Sequence, residues 1–363
     1  MRTFTCDSCS GALFFENDTC LSCGKTVGFR ADEISMCTTD AAAAAGLGQC
    51  RNWTEHNACN WFAMGGGDDY CAACELNEVV PDLAEPKRLA LWTETERAKR
   101  RLVFTLLELG LPLRGVGDKH ALRFRLLADE RVDTGAIDPP AERPIYTGHD
   151  EGCLTLNVAE ADSALRESMR QRLNERYRTV LGHLRHEIGH YYWYLLVENA
   201  PLLPAFREVF GDETASYTDA QKHHYENGPP ESWQESFVSA YASMHPWEDF
   251  AETWAHYIHI LDTLESANAS QLALAGHALQ SPLPLSTQRP LAALLADWVP
   301  MTVSLNQLNR SMGLPDAYPF VLTERVVEKL AFVHNLCLTS TLGDAHPPHI
   351  PKATPQAPTA TLH

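Results

Sequence analysis

No stretch of this chain approaches the run of about 18 apolar residues that a membrane-spanning helix requires, so no transmembrane segment is expected. Basic residues are also scarce: 29 Lys and Arg face 47 Asp and Glu, a formal charge of −18. That balance argues against nonspecific nucleic-acid binding, which depends on neutralising phosphates. Lys99-Arg100-Arg101 is the one basic cluster, and it falls in a helical pattern. An apolar leader core is missing as well. Met1-Arg2-Thr3-Phe4-Thr5-Cys6 begins a cysteine pair where a secretion signal needs its hydrophobic region, so a cytoplasmic location is expected. Charge is not so dense, nor apolar residues so few, that wholesale disorder is implied: 21% are charged and 45% hydrophobic. At 363 residues the chain has room for one large domain or two to three smaller ones.

Cysteine is concentrated where the chain starts. Nine of the 11 cysteines lie in the first 74 residues. In a reducing compartment this reads as metal binding. Cys6-x2-Cys9 and Cys20-x2-Cys23 are two facing knuckles, and four thiolates can surround Zn²⁺ as a tetrahedron. Gly24 follows the second pair and suits the tight turn there. Cys50, Cys59, Cys71 and Cys74 form a second set, with Trp53, Trp61 and Phe62 between them. So small a fold builds little core without metal. Both sites are closed and are expected to be structural. Two four-thiolate zinc sites would add about −2 each to an acidic chain. Cys37 reads as a bystander thiol. The Ala41–Ala45 run with Gly46 and Gly48 reads as a connector, and Gly65-Gly66-Gly67 as a loop tip.

The rest is organised as α+β and is mostly helical. Residues 87–109 carry an amphipathic helical pattern ended by Gly110 and Pro112. Residues 121–127 and 153–158 read as strands, separated by a loop rich in Pro, Asp and Gly. Helical spacing then recurs at 162–197, 216–227, 232–244, 247–268, 288–299 and 323–338. The expected organisation is a tandem zinc-ribbon region at 1–80, a helical domain with a small sheet at 87–340, and a disordered proline-rich tail at 343–363.

His186-Glu187-Ile188-Gly189-His190 is an HExxH. On a helix, positions i and i+4 share a face, so both imidazoles can reach one metal while Glu187 contacts a water beside it. Eight of the 16 histidines fall between residues 183 and 259. A catalytic zinc needs a third protein ligand and an open position. The segment His245-Pro246-Trp247-Glu248-Asp249-Phe250-Ala251-Glu252 supplies candidates. Pro246 suits a helix start, and Glu248 and Glu252 lie one turn apart on one face. One carboxylate can bind metal while the other accepts a hydrogen bond from a ligand imidazole. Glu248 is preferred as ligand, with Glu252 and His245 behind it. His183, on the stripe of Glu187 and His190, reads as outer support or core, as do His256 and His259. His223-His224 is either a surface pair or part of a pocket wall.

HExxH followed by a helix bearing ExxxE resembles the gluzincin metallopeptidases. More closely, residues 185–193 and 245–257 resemble the zinc-binding metallopeptidases that carry an N-terminal zinc-ribbon module. The likeness also covers Cys6/Cys9/Cys20/Cys23, Thr147-Gly148-His149, Glu160-Ala161-Asp162 and Asn309-Arg310-Ser311-Met312-Gly313. It implies a zincin-like domain with Glu248 as zinc ligand and Glu252 supporting it from outside. It also implies a transition-state role for Tyr241, seven residues before Glu248, and an edge strand at 153–158 that pairs with extended substrate.

The expected chemistry is peptide hydrolysis with one catalytic and two structural Zn²⁺. Glu187 is the general base, and Tyr241, or failing it His245 or Tyr257, donates to the oxyanion. The expected partners are a peptide or protein substrate and a protein docking on the ribbons, with no nucleic acid and no membrane. The rival reading is a protein-binding module whose ribbons recruit a partner and whose peptidase-like domain is scaffold. An intact Glu187 favours the enzyme.

Overall fold

The computed structural model describes residues 2–65, 69–113, 121–129, 132, 145, 147–150, 152–172, 179–198, 200–285 and 289–342. The tail from Gly343, most of the 130–146 loop, and Gly66 and Gly67 of the expected loop tip lie outside them. The architecture is α+β: small hairpins around the cysteine sets, then a mostly helical body with a four-stranded sheet. Among the described residues no helix is long and apolar enough to cross a membrane.

The cysteine-rich segment is three short antiparallel hairpins, Phe4–Thr5 with Ala12–Leu13, Val27–Arg30 with Ser35–Thr38, and Leu47–Gln49 with Phe62–Met64. Gly24 has φ +74°, the left-handed turn that glycine adopts at least cost. The alanine run is not a connector. It forms the helix Thr39–Ala44, capped by Thr38, whose side chain accepts from Ala41 N–H. Alanine is the best helix former, and a threonine before it supplies the cap.

The hairpins do not stand apart from the body. Phe104 of the helix Pro86–Glu108 meets Phe4, Phe15 and Phe29 at centroid distances of 6.2, 4.8 and 5.4 Å. Trp61 packs 4.5 Å from Phe29. The strand Asn77–Val79 then leaves the cysteine-rich segment and pairs in parallel with Arg123–Leu127. The sheet order is Asn77–Val79, Arg123–Leu127, Cys153–Asn157, Gly148–Asp150. Cys153–Asn157 is therefore an interior strand, paired on both sides, and the edge-strand expectation for it is corrected. Among the described strands the outermost on that side is Gly148–Asp150.

The single helix expected over 162–197 is two helices. Ser163–Arg172 starts after Asp162, whose carboxylate accepts from Ala164 N–H at 2.9 Å. Val180–Trp193 starts after Thr179, whose hydroxyl accepts from Gly182 N–H at 2.9 Å. The pattern at 232–244 yields only Trp233–Ser236 and the 3-10 turn Tyr241–Ser243. Ser239, between them, turns its hydroxyl onto Glu252 instead of a helical carbonyl. Leu291–Ser311 runs through Pro300, which faces solvent, well past the expected end.

The helices Val180–Trp193 and Pro246–Ala269 cross at Gly189. A Cβ there would lie 2.9 Å from Ala251 Cα and 3.2 Å from Ala251 O and Trp254 Cβ. These neighbours are backbone or ring stem and cannot swing aside. Gly189→Ala should therefore cost about 1–3 kcal/mol through overpacking. Thermal melts compared with wild type check this, and an unchanged melting temperature would show that the crossing has slack.

Candidate metal centre

Thr179 starts the HExxH helix so that His186 and His190 project one turn apart, while Leu184 and Ile188 hold the opposite side in the core. His245 opens the second helix. Its Nδ1 accepts from Trp247 N–H at 3.1 Å, and its Nε2 lies 3.1 Å from Ala215 O. Glu248 follows in the first turn. The Gly189 crossing carries it onto the two imidazoles. His186 Nε2 is 3.0 Å from Glu248 Oε2, His190 Nε2 is 3.5 Å from it, and the two nitrogens are 3.2 Å apart.

Those three distances fit the face of a metal polyhedron. Nitrogen and oxygen ligands placed tetrahedrally around Zn²⁺ lie about 3.4 Å from one another. Glu248 is 2% exposed, yet its Oε2 receives no hydrogen bond among the described residues. A buried carboxylate oxygen aimed at two imidazole nitrogens without a donor is costly unless a cation lies between them. The donor set, two imidazoles and one carboxylate, suits zinc with a position left open. His186, His190 and Glu248 could thus hold a zinc ion.

The surrounding contacts set the orientation of these groups. His186 Nδ1 is 2.7 Å from Glu252 Oε1, which keeps a proton on Nδ1 and leaves Nε2 free to ligate. Ser239 Oγ donates to the other oxygen of Glu252 at 2.6 Å. Tyr217 Oη donates to Glu248 Oε1 at 2.8 Å. The His190 ring packs against Trp247, tilted at 48° with centroids 4.0 Å apart.

Glu187 is buried, with Oε1 3.2 Å from His183 Nε2. His183 Nδ1 in turn lies 2.7 Å from Glu160 Oε2, and Thr147 Oγ1 donates to Glu160 Oε1 at 2.6 Å. Burial works against charging His183, but the carboxylates, Glu160 first, outweigh it and push its imidazolium up to about 10. Burial also works against ionising Glu187. The hydrogen bond and charge of His183 overcome that and hold its carboxyl below the ordinary range.

The site opens into a cavity of about 1370 Å³, bordered by Gly148 and His149 of the outer strand and by Tyr217, His224 and Tyr241. Tyr241 has its ring 5.9 Å from that of His186. Both ring nitrogens of His245 are taken up by the helix start and Ala215, and the side chain caps the helix. Tyr257 is buried, with its hydroxyl 2.9 Å from His334 Nδ1. His224 is a cavity wall and His223 is on the surface beside Asn227. His256 and His259 line the inner end of the cavity. Burial pushes their imidazoles down to about 4 and about 3, so both are neutral. The sequence reasoning had no signal for Tyr217 or Ser239, which reach the centre from segments outside both motifs.

The two cysteine sets also close as expected. Cys6–Cys23 and Cys9–Cys20 sulfurs are 3.9 and 3.7 Å apart, and Cys59 lies 3.7 and 3.8 Å from Cys71 and Cys74. A disulfide would need about 2.05 Å. Thiolates at tetrahedral corners around Zn²⁺ lie about 3.8 Å apart. Each set could hold a zinc ion. In the second, Trp61 N–H and Cys71 N–H point to Cys59 and Cys50 sulfurs at 3.4 Å, and buried Arg100 binds Ala58 O beside them.

Residues 88–336 match the family described as "Putative zinc-binding metallo-peptidase", and residues 3–85 match a zinc-ribbon domain. An uncharacterized protein of Mycobacterium bovis is 42% identical over 359 residues, covering 96% of this chain and 98% of its own length. Uncharacterized proteins from two strains of Mycobacterium tuberculosis are similar to the same extent. No solved structure matches. With its HExxH and Glu248 inside the matched region, the chain belongs to this zinc-binding metallopeptidase family, with an N-terminal zinc-ribbon domain.

Proposed function

We propose that the protein is a zinc-dependent peptidase in which Glu187 is the general base. The observation that carries this reading is the meeting of the His186, His190 and Glu248 ligand atoms, with Glu187, on the same cavity wall, held by His183. Zinc held by that triad would supply Lewis acidity, lowering the pKa of water and polarising a scissile carbonyl. Glu187 takes the proton of the attacking water and delivers it to the leaving amine. His183, anchored by Glu160, fixes the Glu187 carboxylate and keeps it ionised for that first step. Tyr241, on the cavity wall, donates its hydroxyl proton toward the developing oxyanion. Gly148 and His149, on the outermost described strand, border the cavity, where an extended peptide would lie along the sheet. Glu187 distinguishes this from a scaffold role, which has no use for a base at that position.

Three experiments bear on the reading. Protein purified without added zinc should contain about three zinc ions per chain by elemental analysis. Cys6→Ser should lose one of them and keep the other two, whereas a wild-type value near one removes both cysteine sites from the account. Under mild chelation, Glu248→Ala should lose the third zinc outright. Glu252→Ala, which removes only the support of His186, should weaken it about 10–100-fold. The reverse order would exchange the two roles.

Glu187→Gln is the decisive variant for catalysis. It keeps shape and touches no ligand atom, so zinc content and melting temperature should stay near wild type. Hydrolysis of an unbiased peptide pool should fall by about 10² or more, the lower end of what general-base catalysis supplies. Equal activity of wild type and variant would refute the mechanism.

A further inference from the structure

Tyr217 lies outside both motifs, 31 residues before Glu248, yet it is bonded to the proposed third ligand. It is the first residue of the helix Tyr217–Asn227, which is capped by Ser216 and buries none of its residues fully. Gly211 and Gly228 bracket that region with φ of +106° and +75°. The helix is thus a peripheral element that sends one phenol inward. The Tyr217 ring packs 5.4 Å from His245 and 6.0 Å from Trp247, against the helix start from which Glu248 projects.

The two oxygens of Glu248 have separate surroundings. Oε1 accepts from Tyr217 Oη at 2.8 Å. Oε2 receives no hydrogen bond and faces His186 Nε2 and His190 Nε2. Glu248 is only 2% exposed, and the phenol is the donor that holds Oε1. Without Tyr217 that oxygen would lose this donor. The carboxylate could then rotate to bring both oxygens toward the ion, filling the position a substrate carbonyl needs.

We propose that Tyr217 is a positioning residue of the metal centre: its hydroxyl occupies Glu248 Oε1 and so presents the carboxylate to the ion through Oε2 alone. This deepens the peptidase reading and rests on its metal assignment. It also makes the peripheral helix part of the centre, because its first residue reaches a ligand directly.

The test uses the full chain and Tyr217→Phe, which keeps the ring packing on His245 and Trp247. Competition with a chromophoric chelator should show the third zinc bound about 10–100-fold more weakly, the usual effect of losing a ligand-orienting partner, with the two cysteine-held ions retained. With Co²⁺ in the third site, the visible spectrum should change between wild type and variant. A purely structural role would leave that spectrum unmoved. In a Glu248→Ala background, titrated with Co²⁺ and no competing chelator to read the weak binding left to His186 and His190, Tyr217→Phe should have no further effect on metal affinity, because the pair acts as a unit. Equal zinc affinity and identical cobalt spectra in the two proteins overturn the inference. So does an additive loss in the double variant, which would mean that Tyr217 acts through the fold. A wild type that holds two zinc ions and no third overturns the metal assignment, and this inference with it.

Discussion

The approach of Gly189 to Ala251 is the contact on which the centre depends. HExxH places two imidazoles on one helix face, but the third ligand comes from a different helix. Glu248 is three residues before Ala251 and Glu252 one residue after it, so the crossing point lies between the two carboxylates. If the axes moved apart, both would recede from His186 together. Packing of the two helices and geometry of the candidate metal centre are therefore the same constraint. Buried Trp254 and Phe250 on the second helix, with Ile188 and Leu184 on the first, hold the crossing from the apolar side.

A second constraint is the cost of burying charge. Glu187, Glu248, His186 and His190 are all at least nine-tenths buried. Such groups persist only when their polar atoms are paired. Glu252 is shared by His186 and Ser239, and Glu187 is backed by His183, Glu160 and Thr147. Glu248 has Tyr217 on one oxygen and the two imidazole nitrogens near the other. Two atoms of this group stay without a hydrogen bond among the described residues, His190 Nδ1 and Glu248 Oε2, and the second is where a cation fits.

The cysteine-rich segment lies apart from the cavity. None of its described residues borders the cavity. It shares an aromatic core with the helix Pro86–Glu108 and contributes Asn77–Val79 to one edge of the sheet. The opposite edge of that sheet, Gly148–Asp150, borders the cavity. In the second cysteine set, all four thiols are buried and Arg100 of the following helix sits beside them. Cysteine sets that could each hold zinc, in a region too small for its own core, thus share the core of the larger domain.

What the sequence determined by itself was the chemistry carried on single local elements. CxxC pairs lie on one knuckle, His186 and His190 on one turn, and Glu248 and Glu252 on another, because backbone geometry alone sets i to i+4 neighbours. His183 beside Glu187 was legible for the same reason. Tertiary structure decided which distant groups meet those elements. Tyr217 on Glu248, Ser239 on Glu252 and Glu160 on His183 arise from packing between segments whose separation in the chain carries no period. It also decided that 153–157 is an interior strand, since pairing partners are a property of the sheet and not of alternation along one strand. Likewise 232–244 reads as helical by periodicity but breaks at Ser239, where a long-range hydrogen bond to Glu252 competes with the local helical one.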